Sequence, residues 1–338
     1  MASRLHSIWR RVMVHKQATI IYNPMSGRAG RRAENVGRMI SLLGERGIDA
    51  EARATTEPED GARLAREATG SGADIIVSYG GDGTLNEVVQ GMATSQTALA
   101  VWPGGTANVV ARDLGIPFDV PGLAGIIAAG KTNRIALGLA KNCDAGTRRR
   151  GDARISSPSI PVVSVSASPR PRVSASRYFI MMAGIGLDAS IARRVNQKLK
   201  RRTGEFAFWV SGIKHFFQWH GEPFRIEVDG HCYESTFALI GNGKGYGGGM
   251  MITPGAKLEE PWFEIYILSP KSSNFAYLPA LRACMRGKPE VAGVTLIRGR
   301  HVEANSVHEP WVEADGEIIG PLPMTFDIVP DALSIIVP

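Results

Sequence analysis

The stretch SYGGDGTLNEVVQG, residues 78–91, decides how the chain is read. The run that leads into it, ADIIVSYG (73–80), is nearly all apolar, as expected of a strand covered on both faces. Then come Gly80, Gly81, a single acid at Asp82, Gly83, and residues with helical spacing from Thr84. Glycine has no Cβ, so the backbone can adopt positive φ and approach a ligand closely. The helix start that follows offers free N–H groups and a partial positive charge, a setting that suits phosphate. Asp82 does not suit direct contact with phosphate, because like charges repel. It suits a divalent cation lying between the two, or the removal of a proton from an attacking hydroxyl. Asn86 and Glu87, one turn further on, frame the same place.

Two more turns of this kind lie in the first third of the chain. NPMSGRAG (23–30) follows the strand-like ATIIYN (18–23), and PGGTANVVAR (103–112) follows ALAVWP (98–103). Between them, 29–47 has helical spacing through Val36, Met39, Ile40 and Leu43. IDAEARAT (48–55) reads as a strand and EDGARLAREATG (59–70) as a helix. Alternation of this kind implies crossover units and a parallel sheet with helices on both faces, to about residue 131. Ligands of such sheets bind beyond the carboxyl ends of the strands, where the three turns sit. No GxGxxG follows the first strand, and there is no GxxxxGK[ST] loop.

Beyond residue 131 the pattern changes. RIALGLA, RYFIMMAGIG, PFRIEVDG, CYESTFALIGN, WFEIYILSP, GVTLIRGRHVEA and PMTFDIVPDALSIIVP read as strands separated by Gly, Pro and Asp turns, with a helical stretch near 188–218. The expected organisation is an α/β plus all-β chain. A doubly wound domain whose turns suit phosphate spans 1–131, with the final strand, about 325–338, returning to it. An antiparallel β domain spans 132–324. The Ser-, Pro- and Arg-rich segment 141–176 is expected to be an inserted loop.

The net charge of +7 is uneven. Residues 1–17 hold four basic and no acidic side chains, 141–177 hold eight basic and two acidic, and 193–202 (RRVNQKLKRR) hold six basic and none acidic. These segments carry +16 together, leaving −9 on the rest. Basic segments on an acidic body suit an anionic surface. No run approaches the ~20 apolar residues needed to cross a bilayer. The N-terminus lacks the apolar core of a signal peptide. Cys143, Cys232 and Cys284 are too far apart for a close-spaced metal motif and read as reduced thiols of a cytosolic protein.

NPMSG, GGDGTLNEVVQG and PGGTANVVARDLGIP, in that order, resemble the diacylglycerol kinase catalytic family, which includes bacterial lipid kinases and sphingosine and ceramide kinases. AGIGLDASIA (183–192), GNGKGYGGGMMITPGAKL (241–258) and VEADGEIIG (312–320) are similar to its later motifs. The resemblance covers about 18–338 apart from the insert. It implies a nucleotide domain like that of phosphofructokinases and NAD kinases, followed by a β-sandwich. It also implies transfer of the γ-phosphoryl group of ATP, with Mg²⁺, to the hydroxyl of diacylglycerol or a similar lipid alcohol. A sphingoid base or ceramide as acceptor, and a nucleotide-binding membrane-associated protein without turnover, are the alternatives. By resemblance, Asn23, Pro24, Ser26, Gly27, Thr56, Gly80, Gly81, Asp82, Gly83, Thr84, Asn86, Glu87, Gly105, Thr106 and Asn108 contact ATP. Glu317, beside Asp315, is implied as proton acceptor, with Asp82 competing for that role. Such a carboxylate is needed, because an alcohol is a poor nucleophile until its proton has somewhere to go. Asp82 would hold Mg²⁺ with ATP.

One place departs from the family pattern. An aspartate–glycine pair, tied in some members to a structural Mg²⁺, is replaced here by Glu260 and Pro261, with Lys257 nearby. Lys257 is expected to pair with Glu260 in place of the ion. A lipid kinase must also reach a membrane. Leu5, Ile8, Trp9, Val12 and Met13 follow helical spacing among Arg4, Arg10 and Arg11. RRVNQKLKRR precedes FAFWVSGIKHFFQW (206–219), which pairs a basic cluster with aromatic groups. The expected location is cytoplasmic, peripheral to the inner face of the membrane. The expected partners are a lipid alcohol and anionic lipid rather than nucleic acid; the sequence leaves the oligomeric state open, a homodimer being one candidate.

Overall fold

The computed structural model of the chain describes residues 16–24, 31–143, 176–186, 221–245, 250–270, 277–308 and 310–338. Ser26 and Gly27, the N-terminal amphipathic segment, residues 144–175 of the insert, the 188–218 helix and the 193–219 basic–aromatic segment lie outside these residues. The chain divides into two units. One comprises Met1–Gly105, Leu114–Asn133 and Leu333–Pro338, and the other Thr106–Asp113 and Arg134–Ala332.

The first unit alternates strands and helices: β1 (Lys16–Tyr22), α1 (Arg32–Gly44), β2 (Ile48–Ala54), α2 (Asp60–Gly70), β3 (Ile75–Gly80), α3 (Asp82–Met92) and β4 (Ala98–Pro103). The strand order is β2-β1-β3-β4, and every pairing among these is parallel. The doubly wound α/β reading therefore holds. Because β1 leads to β2 on one side and β3 lies on the other, the order reverses between β1 and β3, which is where such folds bind ligands. The central β3 is buried throughout, while β2, at the sheet's edge, is mostly exposed. α1 buries Val36, Met39 and Leu43, the stripe that its spacing predicts.

After the short α4 (Val109–Asp113) comes α5 (Val120–Ala129), a helix the sequence analysis does not single out. Its ends carry clear signals. Asp119 accepts a hydrogen bond from the Gly122 amide, Pro121 lies in the first turn, and Gly130 closes the helix at φ 65°. Its composition is apolar on most faces, so no clear helical stripe marks it.

In the second unit the strands form the two layers of an antiparallel β-sandwich. β5 (Thr132–Asn142), β6 (Ser176–Phe179), β8 (Phe224–Val228), β9 (His231–Ser235), β13 (His301–Asn305) and β16 (Met324–Ile336) belong to one sheet. The other has the order β12 (Val294–Gly299), β11 (Phe263–Leu268), β10 (Phe237–Gly241), β7 (Met182–Ile185), β14 (Trp311–Ala314) and β15 (Glu317–Pro321). Ile226, Ile240, Phe263, Ile265, Val302 and Phe326 lie in the core between them. A further helix, α6 (Leu278–Met285), follows β11. The end of β16 runs parallel to β4 in the first unit, with Ser334 opposite Ala98.

Three segments read as single strands are each two. RYFIMMAGIG breaks into β6 and β7, CYESTFALIGN into β9 and β10, and GVTLIRGRHVEA into β12 and β13, and in each case the chain changes sheet at the break. The physical reason is visible at the first two. Asp315 takes the amides of Ile180, Met181 and Met182, removing them from strand pairing. Ser235 Oγ donates toward the carbonyls of Phe237 and Leu268. The insert joins neighbouring strands, since Lys141 of β5 is paired with Ser176 of β6.

Candidate active site

At the carboxyl ends of β1, β3 and β4, the backbone is tied together. The Asn23 amide donates to the Tyr79 carbonyl at 3.4 Å, and the Gly104 amide to the Gly80 carbonyl at 2.7 Å. Arg32, at the start of α1, is only 4 % exposed. Its guanidinium donates to the Tyr79 carbonyl at 3.3 Å and to the Gly104 carbonyl at 2.6 Å. It lies 4.4 Å from the Tyr79 ring centroid, and Tyr79 stacks on Trp102 at 3.7 Å. Burial lowers the pKa of Arg32, yet an arginine remains charged. Two turns distant in sequence are thus held by one fork of donors.

The glycines of these turns do not use the positive φ open to them. None of Gly80, Gly81, Gly83, Gly104 and Gly105 is among the glycines with positive φ, and Gly81 has φ −90°. They are needed for space. A Cβ on Gly80 would lie 2.4 Å from Thr84 Oγ1, and one on Gly81 would lie 3.3 Å from Gly105 Cα. The β3–α3 and β4 turns abut, backbone to backbone. Asp82 is the first residue of α3, with Asn86 a turn later at 1 % exposure. The Asn86 Oδ1 accepts from Gln90, while its Nδ2 is buried without a partner. A buried donor without an acceptor fits an oxygen-rich ligand beside this turn. The last glycine of the motif, Gly91, lets α2 pack closely on α3, since a Cβ there would be 2.2 Å from the Ala62 carbonyl oxygen.

After β2, Thr56 is exposed, and its hydroxyl and amide both donate to Asp60 Oδ2, at 2.7 and 2.8 Å. Hydrogen bonds from Thr56, then from Arg63, hold the Asp60 carboxyl well below the usual carboxylate range. Glu87 accepts the Gly61 amide at 3.1 Å, so its carboxylate anchors the start of α2.

The second unit carries the acids. Asp315, at φ 47° in the β14–β15 turn, accepts three amides: Ile180 at 2.6 Å, Met181 at 2.9 Å and Met182 at 3.1 Å. Fully buried Asn242 holds the same segment from the carbonyl side, with its Nδ2 donating to Ile180 O at 2.7 Å and to Ala136 O at 2.9 Å. Glu317 opens β15, 39 % exposed, and pairs with Arg177 of β6. In the same turn, buried Glu313 accepts the Gly316 amide at 2.7 Å.

Comparison with known proteins adds the rest. The diacylglycerol kinase catalytic domain matches residues 17–140, and the YegS C-terminal NAD kinase beta sandwich-like domain matches 181–337. The chain is 28% identical over 319 residues to diacylglycerol kinases of Staphylococcus aureus strains bovine RF122 / ET3-1 and MRSA252, covering 93% of this chain and 90% of each of them. The fold is similar to a crystal structure of diacylglycerol kinases from Bacillus anthracis str. Sterne, with a TM-score of 0.71 at 21% identity, covering 96% of this chain and 97% of that one. The chain belongs to the diacylglycerol kinase catalytic family. It is a lipid kinase.

Of the residues named from sequence, the kinase brings together Asn23, Gly80, Gly81 and Gly105 through the contacts above, with Pro24 next in the β1 turn and Asp82, Gly83, Thr84 and Asn86 opening α3. Thr106 and Asn108 group with the second unit, Thr106 exposed and Asn108 buried at φ 48°. Asp315 and Glu317 neighbour each other in one turn, but Asp315 is a backbone clamp. Lys257 Nζ lies 3.1 Å from Glu260 Oε1, and Lys257, first among the causes, lowers the Glu260 pKa. An ammonium in that place does not fit a divalent ion. Among the described residues, no cluster of three or more His, Cys, Asp and Glu can hold a metal, and no helix is long and apolar enough to cross a membrane. Arg32, Asp60, Asn242 and Arg177 went unnoticed in the sequence. Arg32 is one of several arginines near the first turn, and Arg177 has no motif of its own.

Proposed function

We propose that this lipid kinase transfers the γ-phosphoryl group of ATP to the hydroxyl of diacylglycerol or a similar lipid alcohol. The observation that carries the nucleotide side is the meeting of close-packed glycine turns at the sheet's switch point, beside the buried Asn86 Nδ2, which lacks an acceptor among the described residues. Backbone N–H groups at the start of α3 would bind the phosphates, and Arg32 would keep the turns in register. The family and the Staphylococcus aureus relatives, named diacylglycerol kinases, support the acceptor.

Magnesium bound with ATP would neutralise charge on the phosphates, and Asp82 is the carboxylate that would hold it. Glu317 would accept the proton of the lipid hydroxyl. The chain would act at an anionic membrane surface, with 193–219 as the contact, and Arg193, Arg194, Arg201 and Arg202 changed to Glu should abolish co-sedimentation with anionic liposomes.

The deciding experiment is incubation with radiolabelled ATP, Mg²⁺ and a panel of lipids, with Asp82→Ala and Glu317→Ala as controls. Label in phosphatidate, lost by about 10²-fold or more in each control, is the expected result. Label in a sphingoid or ceramide phosphate moves the acceptor to that class. No label in any lipid overturns the reading.

A further inference from the structure

The acid assigned the proton in this reading has a partner. Glu317 Oε2 accepts a hydrogen bond from the Arg177 guanidinium, from a residue 140 positions earlier in the chain. The two side chains are 19 % and 39 % exposed, Arg177 the more buried. A half-open ion pair of this kind contributes little to stability. Arg177 also leaves its Nε buried without a partner among the described residues, which is unfavourable. Stability therefore does not explain the pair.

Its placement is built in. Asp315 binds the amides of residues 180–182, just after the strand that carries Arg177, and the Asp315 amide donates to the Met182 carbonyl at 3.0 Å. Glu317 lies two residues beyond Asp315. β7 continues the connection by pairing with β14, Ala183 opposite Ala314. One clamp thus fixes the backbones of both partners, and the rigid planar fork of an arginine then fixes the carboxylate.

We propose that Arg177 is the positioning residue of the proton acceptor: it holds Glu317 ionised and aimed, and remains as the cation when Glu317 is neutralised. The inference rests on the reading above, that Glu317 takes the proton. In that step the lipid oxygen bonds to the γ-phosphorus as the bond to the β,γ-bridging oxygen breaks. ADP leaves with that electron pair, and the hydroxyl proton passes to the Glu317 carboxylate. The neutral acid loosens its hold on Arg177, which remains as a cation beside it. The proton passes to water, and the ion pair forms again.

The test measures kcat and KM of the full chain with MgATP and dioleoylglycerol in detergent micelles. It uses Arg177→Gln, Arg177→Lys, Glu317→Gln and the Arg177→Gln/Glu317→Gln double variant, each checked by thermal melting. Arg177→Gln should lower kcat by about 10–100-fold with KM for ATP nearly unchanged. Arg177→Lys should recover part of the loss, as should added guanidinium ion on Arg177→Gln. The double variant should be no slower than Glu317→Gln alone, because Arg177 acts through Glu317. If Glu317→Gln is inactive while Arg177→Gln keeps its kcat, the positioning role fails and the kinase reading stands. Losses that multiply in the double variant, or that follow only a lowered melting temperature, also overturn the role. If Glu317→Gln stays active, the proton-acceptor assignment and the positioning role both fall, while the kinase reading stands. Should Arg177→Gln not fold, Arg177→Lys decides by the same split between kcat and KM.

Discussion

At the end of β3, carbonyls and amides meet one another directly: Gly104 N on Gly80 O, Asn23 N on Tyr79 O, with Arg32 closing the set. At the β14–β15 turn the contacts run from side chain to backbone, with the Asp315 carboxylate on three amides and Glu317 on Arg177. The first region is a backbone surface that needs residues to be absent, which is why glycine recurs there. The second is a side-chain device that needs particular acids to be present. A backbone device tolerates no added atom, and a side-chain device tolerates no lost one.

The largest expected effect is at the clamp. Asp315→Ala strips three amides of their acceptor and should cost about 3 kcal/mol, read by urea denaturation. It should also abolish activity, since Glu317 and Arg177 lose their common support. A stable, active Asp315→Ala would show that the turn does not depend on its side chain, and would break the contrast.

Glycines sharpen it next. Gly91→Ala places a Cβ 2.2 Å from a carbonyl oxygen of α2 and should destabilise by about 1–3 kcal/mol. Gly37→Ala, in the interior of α1 with nothing within 4 Å of the new Cβ, should stabilise by about 0.5–1 kcal/mol. Chemical denaturation of the two variants should therefore move midpoints in opposite directions.

Acidity probes Asp60, a carboxylate that braces the backbone unit. Its folded pKa is depressed, chiefly by the Thr56 hydroxyl and amide. Its contribution is complete above the ordinary carboxylate value of about 4 and is lost as pH falls toward the lower folded value. Between about pH 5 and pH 3, the melting temperature of Asp60→Asn should fall less than that of the unaltered protein. Equal slopes would remove Asp60 from the account.

The smallest effect concerns Lys257. If the Lys257–Glu260 pair stands in place of an ion, a chelator added without nucleotide should leave the melting temperature unchanged. Lys257→Met should cost about 1 kcal/mol or less, as its ammonium is exposed. A clear drop with chelator would reveal a metal there.

The same contrast explains what could be read from the letters. GGDGTLNE and PGGTAN are local, so their turns, and the parallel alternation around them, were legible. The freedom of glycine at positive φ is not used there, however, and the tight packing against Thr84 and Gly105 was not legible. The breaks at Ile180 and Thr236 were not legible, because partners far along the chain set them, Asp315 at the first and Leu268 at the second. The Arg177–Glu317 pair was hidden for the same reason: proximity there is a property of the sandwich, not of either segment. α5 went unread because it lacks a stripe, although Asp119, Pro121 and Gly130 mark its ends.

Lys141 and Ser176 face each other across the β5–β6 ladder, at either end of a long surplus of sequence. A chain that leaves and re-enters at adjoining rungs makes a natural splice point. Residues 144–175 can be trimmed to a tight connection, or exchanged for a small reporter domain whose termini lie close together, without stretching the strands on either side.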